Sequence, residues 1–318
     1  MRWNSGKTFP LFACALTCSF QNRANRNRLV QTPADCRHII VGNRPRQPGI
    51  RRKGVVRLLD KVFVNGVNIC YESVGEGFPL IAITGKDSNM DWWHPKAKAA
   101  LGENRRLIML DNRGTGRSDA PTEPYGIADM ARDVIGLMDE LHIEKAHVFG
   151  QSMGGMIAQE IAIEYPERVA KLVLCATTCG VRRVFPTLKM IRWLSRKQAA
   201  FSPEHTLGML FTKDFMSANP DTPAALVERM GRLPPNPISM ELHKQANRSY
   251  DSYKRLHRIT APTLIIHGQK DWVFGPKHAR ILNDRIADSR LVMFSHAGHG
   301  VFTQEFPAVL EQIRRFLG

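Results

Sequence analysis

The chain has 318 residues, a hydrophobic fraction of 43% and a formal net charge of +16. That is ample apolar material for a large core, and α/β folds of about 250 residues routinely form one domain. No apolar stretch approaches the roughly 20 residues that span a bilayer; the longest, Phe9 to Phe20, is too short and contains polar residues. The charge is unevenly placed: residues 1–59 hold 12 Lys and Arg against Asp35 alone, leaving 33 basic and 28 acidic residues for the remainder. A basic nucleic-acid surface on the folded part is therefore not indicated, and phosphate binding applies to the tail if anywhere.

Residues 1–59, rich in Arg, Asn, Gln and Pro and without periodicity, are expected to form a disordered extension to a domain over 60–318. Four readings of this extension stay open. It is an export signal, with Arg2 and Lys7 ahead of Phe9 to Phe20; an Arg-rich organelle transit peptide; or a basic arm. Alternatively translation starts further in, at Val55, Val56 or Leu58, as no Met occurs between Met1 and Met90. The expected location is cytoplasmic, with export or organelle targeting as the alternatives. Lys61 to Val64 and Val67 to Glu72 flank Asn65-Gly66, a strong two-residue hairpin signal. Leu80 to Thr84 and Arg106 to Asp111 read as short apolar strands. Ile127 to Leu141 places apolar residues at 127, 130, 131, 134, 137, 138 and 141, one face of a helix. Lys145 to Phe149 and Lys171 to Ala176 read as strands on either side of a helix over Gly155 to Tyr165. Strands alternating with helices imply a mostly parallel open sheet with helices on both faces, an α/β class.

Between about 177 and 260 this rhythm gives way to Met- and Leu-rich helical segments interrupted by Pro203, Pro220, Pro223 and Pro234-Pro235, read as an inserted helical cap. Met190, Met209, Met216, Met230 and Met240 suit either an adaptable pocket lining or the core of the cap. Arg182, Arg183, Arg192, Arg196 and Lys197 read as a solvated face. The last strands, Pro262 to Gly268 and Arg290 to Phe294, are each followed by a loop and a helical pattern. Cys70, Cys175 and Cys179 fall on or just after strand-like segments, where free Cys is a small buried hydrophobe. Six cysteines in a chain this long make no disulfide framework, and Cys175-x-x-x-Cys179 lacks a second Cys/His pair at zinc spacing. No metal and no cofactor is expected.

Gly150-Gln151-Ser152-Met153-Gly154 fits G-x-S-x-G at a strand-to-helix junction, the setting that pushes a serine hydroxyl out above a sheet. A serine needs a base and an orienting acid, and in this arrangement they follow in the order Ser, Asp or Glu, His. Asp271 lies just past the strand ending at Gly268. His296 and His299 lie just past the strand ending at Phe294. All three positions are therefore at the carboxyl edge of the sheet, where open α/β folds bind ligands.

With Ile83-Thr84-Gly85-Lys86, Asp111-Asn112-Arg113-Gly114-Thr115-Gly116-Arg117-Ser118, the Gly268 to Asp271 turn and Gly298-His299-Gly300, the chain from about residue 61 to 318 resembles the α/β-hydrolase fold family. Within it the likeness is to the small esterases and lactonases that include 3-oxoadipate enol-lactonase-like proteins. Thr84 departs from the His that usually precedes Gly85. The resemblance implies a triad of Ser152, Asp271 and His299, favours His299 over His296, and assigns the oxyanion hole to the backbone N–H groups of Lys86 and Met153. It implies a cap that roofs the serine, and a structural Asp-x-Arg-Gly turn around Asp111 and Arg113. His147 and His267 read as hydrogen-bonded core histidines, and one of Trp92 and Trp93 as packing beneath the oxyanion loop. The expected activity is hydrolysis of a small carboxylic ester or lactone through an acyl-enzyme on Ser152. The same triad serves carbon–carbon bond hydrolysis, acyl transfer or cofactor-free peracid formation, and a slow-turnover ligand receptor is a further alternative.

Overall fold

Asn65 and Gly66, both at positive φ (50° and 80°), turn β1 (Leu58–Val64) back onto β2 (Val67–Val74) in the antiparallel hairpin expected from their sequence. The structure, a computed structural model, describes residues 58–184 and 201–318. The expectations for residues 1–57, and for Met190, Arg192, Arg196 and Lys197, lie outside the described residues. After the hairpin come β3 (Phe78–Ile83), α1 (Pro95–Leu101), β4 (Arg105–Leu110), α2 (Ile127–Glu140), β5 (Ala146–Gln151), α3 (Met153–Glu164) and β6 (Val169–Cys175). Helices α4 (Pro203–Leu210), α5 (Lys213–Ala218), α6 (Asp221–Arg232) and α7 (Pro237–Ser249) separate β6 from β7 (Thr263–Gly268). The chain closes with α8 (Pro276–Arg285), β8 (Ser289–Phe294), α9 (Val301–Gln304) and α10 (Phe306–Leu317).

The strands form one eight-stranded sheet in the order β1-β2-β4-β3-β5-β6-β7-β8. Pairing is antiparallel for β1, β2 and β4 and parallel from β4 to β8. Both faces are covered, so the inner strands are apolar at consecutive positions rather than alternating with polar ones. Ile81, Ile83, Ile108 and Leu110 join one core with residues of α2 and α3, whereas Leu80, Ala82, Leu107 and Met109 join the opposite core with residues of α1 and α10. The apolar stripe foreseen on α2 is buried at 127, 130, 131, 134, 137 and 138. Cys70, Cys175 and Cys179 are free and buried, as expected.

Helices α4 to α7 have an apolar cluster of their own, Leu207, Phe211, Leu226 and Met230, against which Trp92 packs. Met216 belongs with this cluster, and Met216 and Met230 pack within it rather than lining a cavity. Among the described residues, no helix is long and apolar enough to cross a membrane.

The Asp-x-Arg-Gly turn divides its work. Asp111 is fully buried and accepts from the N–H groups of Met90 and Arg117, both at 2.8 Å, which ties β4 to the loop after β3. Arg113 does not stay in its turn: its Nε and Nη2 each donate at 2.6 Å to the carboxylate of Asp133, buried on α2. Removing one member of such a pair leaves the other charge buried alone, at about 3–5 kcal/mol. Arg113→Met is therefore expected to lower unfolding free energy by about that much in a urea titration, with much of the loss recovered in Arg113→Met/Asp133→Leu. Equal destabilisation in the single and double variants would contradict this account.

Candidate active site

Ser152 occupies the single residue between β5 and α3, at φ 55° and ψ −119°. A residue with a side chain seldom adopts that region, so its surroundings must enforce it. Ser152 N–H donates to the Cys175 carbonyl at 2.9 Å, continuing the β5–β6 register by one residue. Its own carbonyl accepts from Gly155 N–H at 2.9 Å and from Thr177 Oγ1 at 2.6 Å. The turn is tight enough that a Cβ on Gly150 would run into the Gly154 carbonyl, and one on Gly154 into those of Ile83 and Thr84. Glycine is thus required on both sides of the serine.

Asp271 follows β7 in a turn that is stitched to the end of β8. Gln269 N–H donates to Phe294 O at 2.8 Å and Lys270 N–H to Ala297 O at 2.9 Å. The side chain of Asp271 is fully enclosed. Its Oδ1 accepts from the N–H groups of Val273 and Phe274 at 2.8 and 3.0 Å, and its Oδ2 lies 2.8 Å from His299 Nδ1. Burial alone would raise the pKa of this carboxyl; the facing His299, its hydrogen bond, His267 and the Phe274 N–H outweigh that and hold it below its ordinary value. On the other side of the same ring, His299 Nε2 lies 3.0 Å from Ser152 Oγ. Ser152, Asp271 and His299 are thus brought into one hydrogen-bonded chain, whereas His296 is exposed.

The loop carrying His299 is anchored to the helical insertion. Gly300 N–H donates to Leu210 O at 2.7 Å, and Gln304 bridges Gly298 N–H (2.8 Å) to Thr212 Oγ1 (3.1 Å). On the other side of Ser152, a Cβ on Gly85 would lie 3.2 Å from Ser152 Cβ, so the Thr84-Gly85-Lys86 loop stands directly against the serine. Thr84 serves this loop well: its Oγ1 donates to Ser88 O at 3.1 Å, and Asn112 Nδ2 donates to its carbonyl at 3.3 Å. Met153 opens α3 and is buried, and the Lys86 ammonium pairs with the neighbouring Asp87.

Above these residues lies a cavity of about 1050 Å³ whose lining includes Ser152, His299, Trp92, Met209, Met240 and Phe274. Of the methionines considered from the sequence, Met209 and Met240 therefore do line the site. Arg182 and Arg183 are both exposed, as the solvated-face reading has it; Arg182 also borders the cavity, and Arg183 pairs with Asp251 and lies over the Tyr253 ring. Trp93 packs between Phe149 and Phe302 beneath the site, as foreseen for one of the two tryptophans. His147 has no partner for its Nδ1, contrary to the hydrogen-bonded role expected of it.

Sequence reasoning missed several supports. His267 Nε2 donates to Phe274 O at 2.6 Å and lies 3.3 Å from Asp271 Oδ2, a second histidine on the acid. Only its i, i+4 spacing to Asp271 hinted at this. Asp87 N–H donates to Nδ1 of His243 at 3.2 Å, and His243 Nε2 lies 2.9 Å from Arg113 O, so α7 holds the loop that bears Lys86. Gln304, Thr177 and His243 carry no local signal, because each acts on a residue distant in sequence or through the backbone.

Residues 77–306 match a family described as the alpha/beta hydrolase fold. The chain is similar to a 2-hydroxy-6-oxo-6-phenylhexa-2,4-dienoate hydrolase of Comamonas testosteroni, with 32% identity over 243 residues, covering 73% of this chain and 84% of that one. It is 27% identical over 280 residues to a proline iminopeptidase of Pestalotiopsis fici, covering 82% and 99% respectively. Among solved structures, the enol-lactonase from Burkholderia xenovorans superposes with a TM-score of 0.71 at 26% identity, covering 81% of this chain and 99% of the other.

The lowered pKa of Asp271 makes a stability prediction. A carboxyl depressed in the folded state contributes stability that is fully present above its unfolded pKa and is lost as pH falls through the folded value. The stability difference between the native protein and Asp271→Asn is expected to be constant above about pH 5 and to shrink towards pH 3, in urea titrations at stepped pH. A difference that widens on acidification would show the carboxyl to be raised instead.

Proposed function

The chain belongs to the α/β-hydrolase fold family, and on that footing we propose that it is a serine hydrolase of small carboxylic esters or lactones. The observation that carries this reading is the chain of contacts from Asp271 Oδ2 through His299 to Ser152 Oγ, at 2.8 and 3.0 Å. Ser152 Oγ attacks the acyl carbonyl as His299 Nε2 takes its proton, and Asp271 fixes the imidazole tautomer and stabilises its charged form. The oxyanion is received by the N–H groups of Lys86 and Met153. In support, both stand beside Ser152, and neither N–H is engaged in a backbone hydrogen bond among the described residues. Collapse of the tetrahedral intermediate expels the alcohol, protonated by His299. A water deprotonated by the same imidazole then releases the acid from Ser152. Residues 60–318 are read as the catalytic domain, the insertion over about 177–260 as its cap, and residues 1–59 as an extension outside it.

A second reading is hydrolysis of a carbon–carbon bond next to a carbonyl. What favours it is the similarity to the Comamonas protein, which bears the name of such a hydrolase.

The test is a panel of p-nitrophenyl esters from acetate to decanoate, with simple lactones, assayed with the native protein and Ser152→Ala. Turnover that falls about a million-fold in the variant supports the nucleophile; ester turnover that survives in it would sink the mechanism. Lys86→Ala keeps the backbone donor and frees only a side chain already paired with Asp87. Its loss of kcat should be small beside the about 100- to 1,000-fold typical of a deleted oxyanion donor.

A further inference from the structure

The loop after β3 turns on Gly85-Lys86-Asp87-Ser88, closed onto Gly85 O by Ser88 N–H at 3.4 Å and by Ser88 Oγ at 2.8 Å. Asp87, third of the four, lies at φ 60°, whereas Lys86 is not at positive φ. That is the pattern of a type II turn, whose third position ordinarily belongs to glycine or asparagine. Turning over the peptide between Lys86 and Asp87 converts such a turn to type I, in which both central residues have negative φ and an aspartate is unstrained. The observed orientation therefore needs a hold from outside the turn.

His243, fully buried on α7, supplies it. Its Nε2 lies 2.9 Å from Arg113 O, which only accepts, so Nε2 carries the ring proton and Nδ1 presents a lone pair. That lone pair accepts the N–H of the peptide in question, Asp87 N–H, at 3.2 Å. Asp87 Oδ1 lies 3.2 Å from the same Nδ1, enclosed and without a hydrogen-bond partner, while Oδ2 pairs with Lys86. Two acceptors thus face each other with no hydrogen between them. A second ring proton reverses the roles. Nδ1–H would meet Asp87 N–H donor to donor, and would find its acceptor in Asp87 Oδ1 or in the Lys86 carbonyl that the turned-over peptide presents. The other charged groups around the ring are committed elsewhere, Arg113 to Asp133 and, on the helix of His243 itself, Lys244 to Glu241. Tyr125 stands edge-on to the ring at 5.9 Å, and burial above all raises its pKa.

We propose that His243 is a positioning residue for the loop that bears Lys86: with one ring proton it holds the Lys86–Asp87 peptide in its strained orientation, and a second proton lets that peptide turn over. A peptide unit carries a dipole of about 3.5 D. Turning it over reverses that dipole one residue from the Lys86 N–H, the oxyanion donor of the proposed mechanism, where donors have to be aimed in advance. The consequence for turnover rests on the ester-or-lactone reading; the orientation of the peptide does not.

Two measurements on the full chain test this. In the first, NMR follows the Asp87 amide and the His243 ring from about pH 8 to about pH 5, in protein labelled with 15N-aspartate and 13C-histidine. The amide should move in step with the ring and should lose that transition in His243→Asn, whose Oδ1 stands in the place of Nδ1 and takes no proton. In the second, ester turnover is compared across the native protein, His243→Leu and His243→Asn. His243→Leu has no acceptor and should lose about 10- to 100-fold in kcat with KM little changed, and His243→Asn should regain most of it at the alkaline end. On the acid side kcat/KM should fall more steeply than one proton allows in the native protein, and with one proton in His243→Asn. If His243→Leu does not fold by circular dichroism, the amide titration and the His243→Asn profile still decide the matter. An Asp87 amide indifferent to the His243 titration overturns the proposal, and so does a His243→Leu protein that loses stability but keeps its kcat. A coupled amide transition in a protein with no ester turnover leaves the hold of His243 standing and removes the ester reading. Turnover that depends on Ser152, with an uncoupled amide, does the reverse.

Discussion

The backbone of one residue, Ser152, is the constraint on which the rest of the site depends. Its positive φ is unfavourable by itself and persists because three independent contacts close around it: Cys175 O on its N–H, and Gly155 N–H and Thr177 Oγ1 on its carbonyl. Two of those partners come from β6 or the residues just after it. The geometry of this residue is therefore set by the pairing of two central parallel strands, which are buried on both faces. A hydroxyl held this way, 3.0 Å from His299 Nε2, needs no reorganisation to reach the imidazole.

Around this point each further element arrives from a different strand end. Asp271 is delivered by β7, His299 by the loop after β8, and the Gly85-Lys86 loop by β3. None of these loops is left to its own stiffness. Asp271 is held by two N–H groups and two histidines, the His299 loop by the insertion and Gln304, and the Gly85-Lys86 loop by Asn112 and by Asp87 through His243. The electrostatics agree with the geometry. Despite full burial, the Asp271 carboxyl is held below its ordinary pKa by the facing His299, its hydrogen bond, His267 and the Phe274 N–H.

Much of this was legible in the sequence because its signals are local. Asn65-Gly66 makes a hairpin without help from distant residues, the stripe on α2 is a matter of period, and the glycine at 150 is demanded by a clash with the Gly154 carbonyl four residues on. The order of the three candidate residues along the chain was equally readable, since each ends a strand. What escaped were partners chosen by tertiary placement. Arg113 looked like a turn residue and instead crosses to Asp133 on α2. Arg229 sat in an amphipathic helix with nothing to separate it from its neighbour Arg232, because the difference between them is which side of the helix the body of the protein covers. Pattern reports that a face is apolar; it does not report what a charge on the border of that face will find there.

The hydrogen bond from Gly300 N–H to Leu210 O joins the His299 loop to the last residue of α4, and the Gln304 bridge adds Thr212 two residues on. Main-chain atoms make the first of these links, so it tolerates drift in the side chains of the insertion but not in its path. Chimeras that exchange this insertion between relatives must then respect a splice rule. A donor segment of any composition is acceptable so long as a carbonyl returns to the place of Leu210, whereas one of matching composition that is a residue too short or too long there dislocates the imidazole.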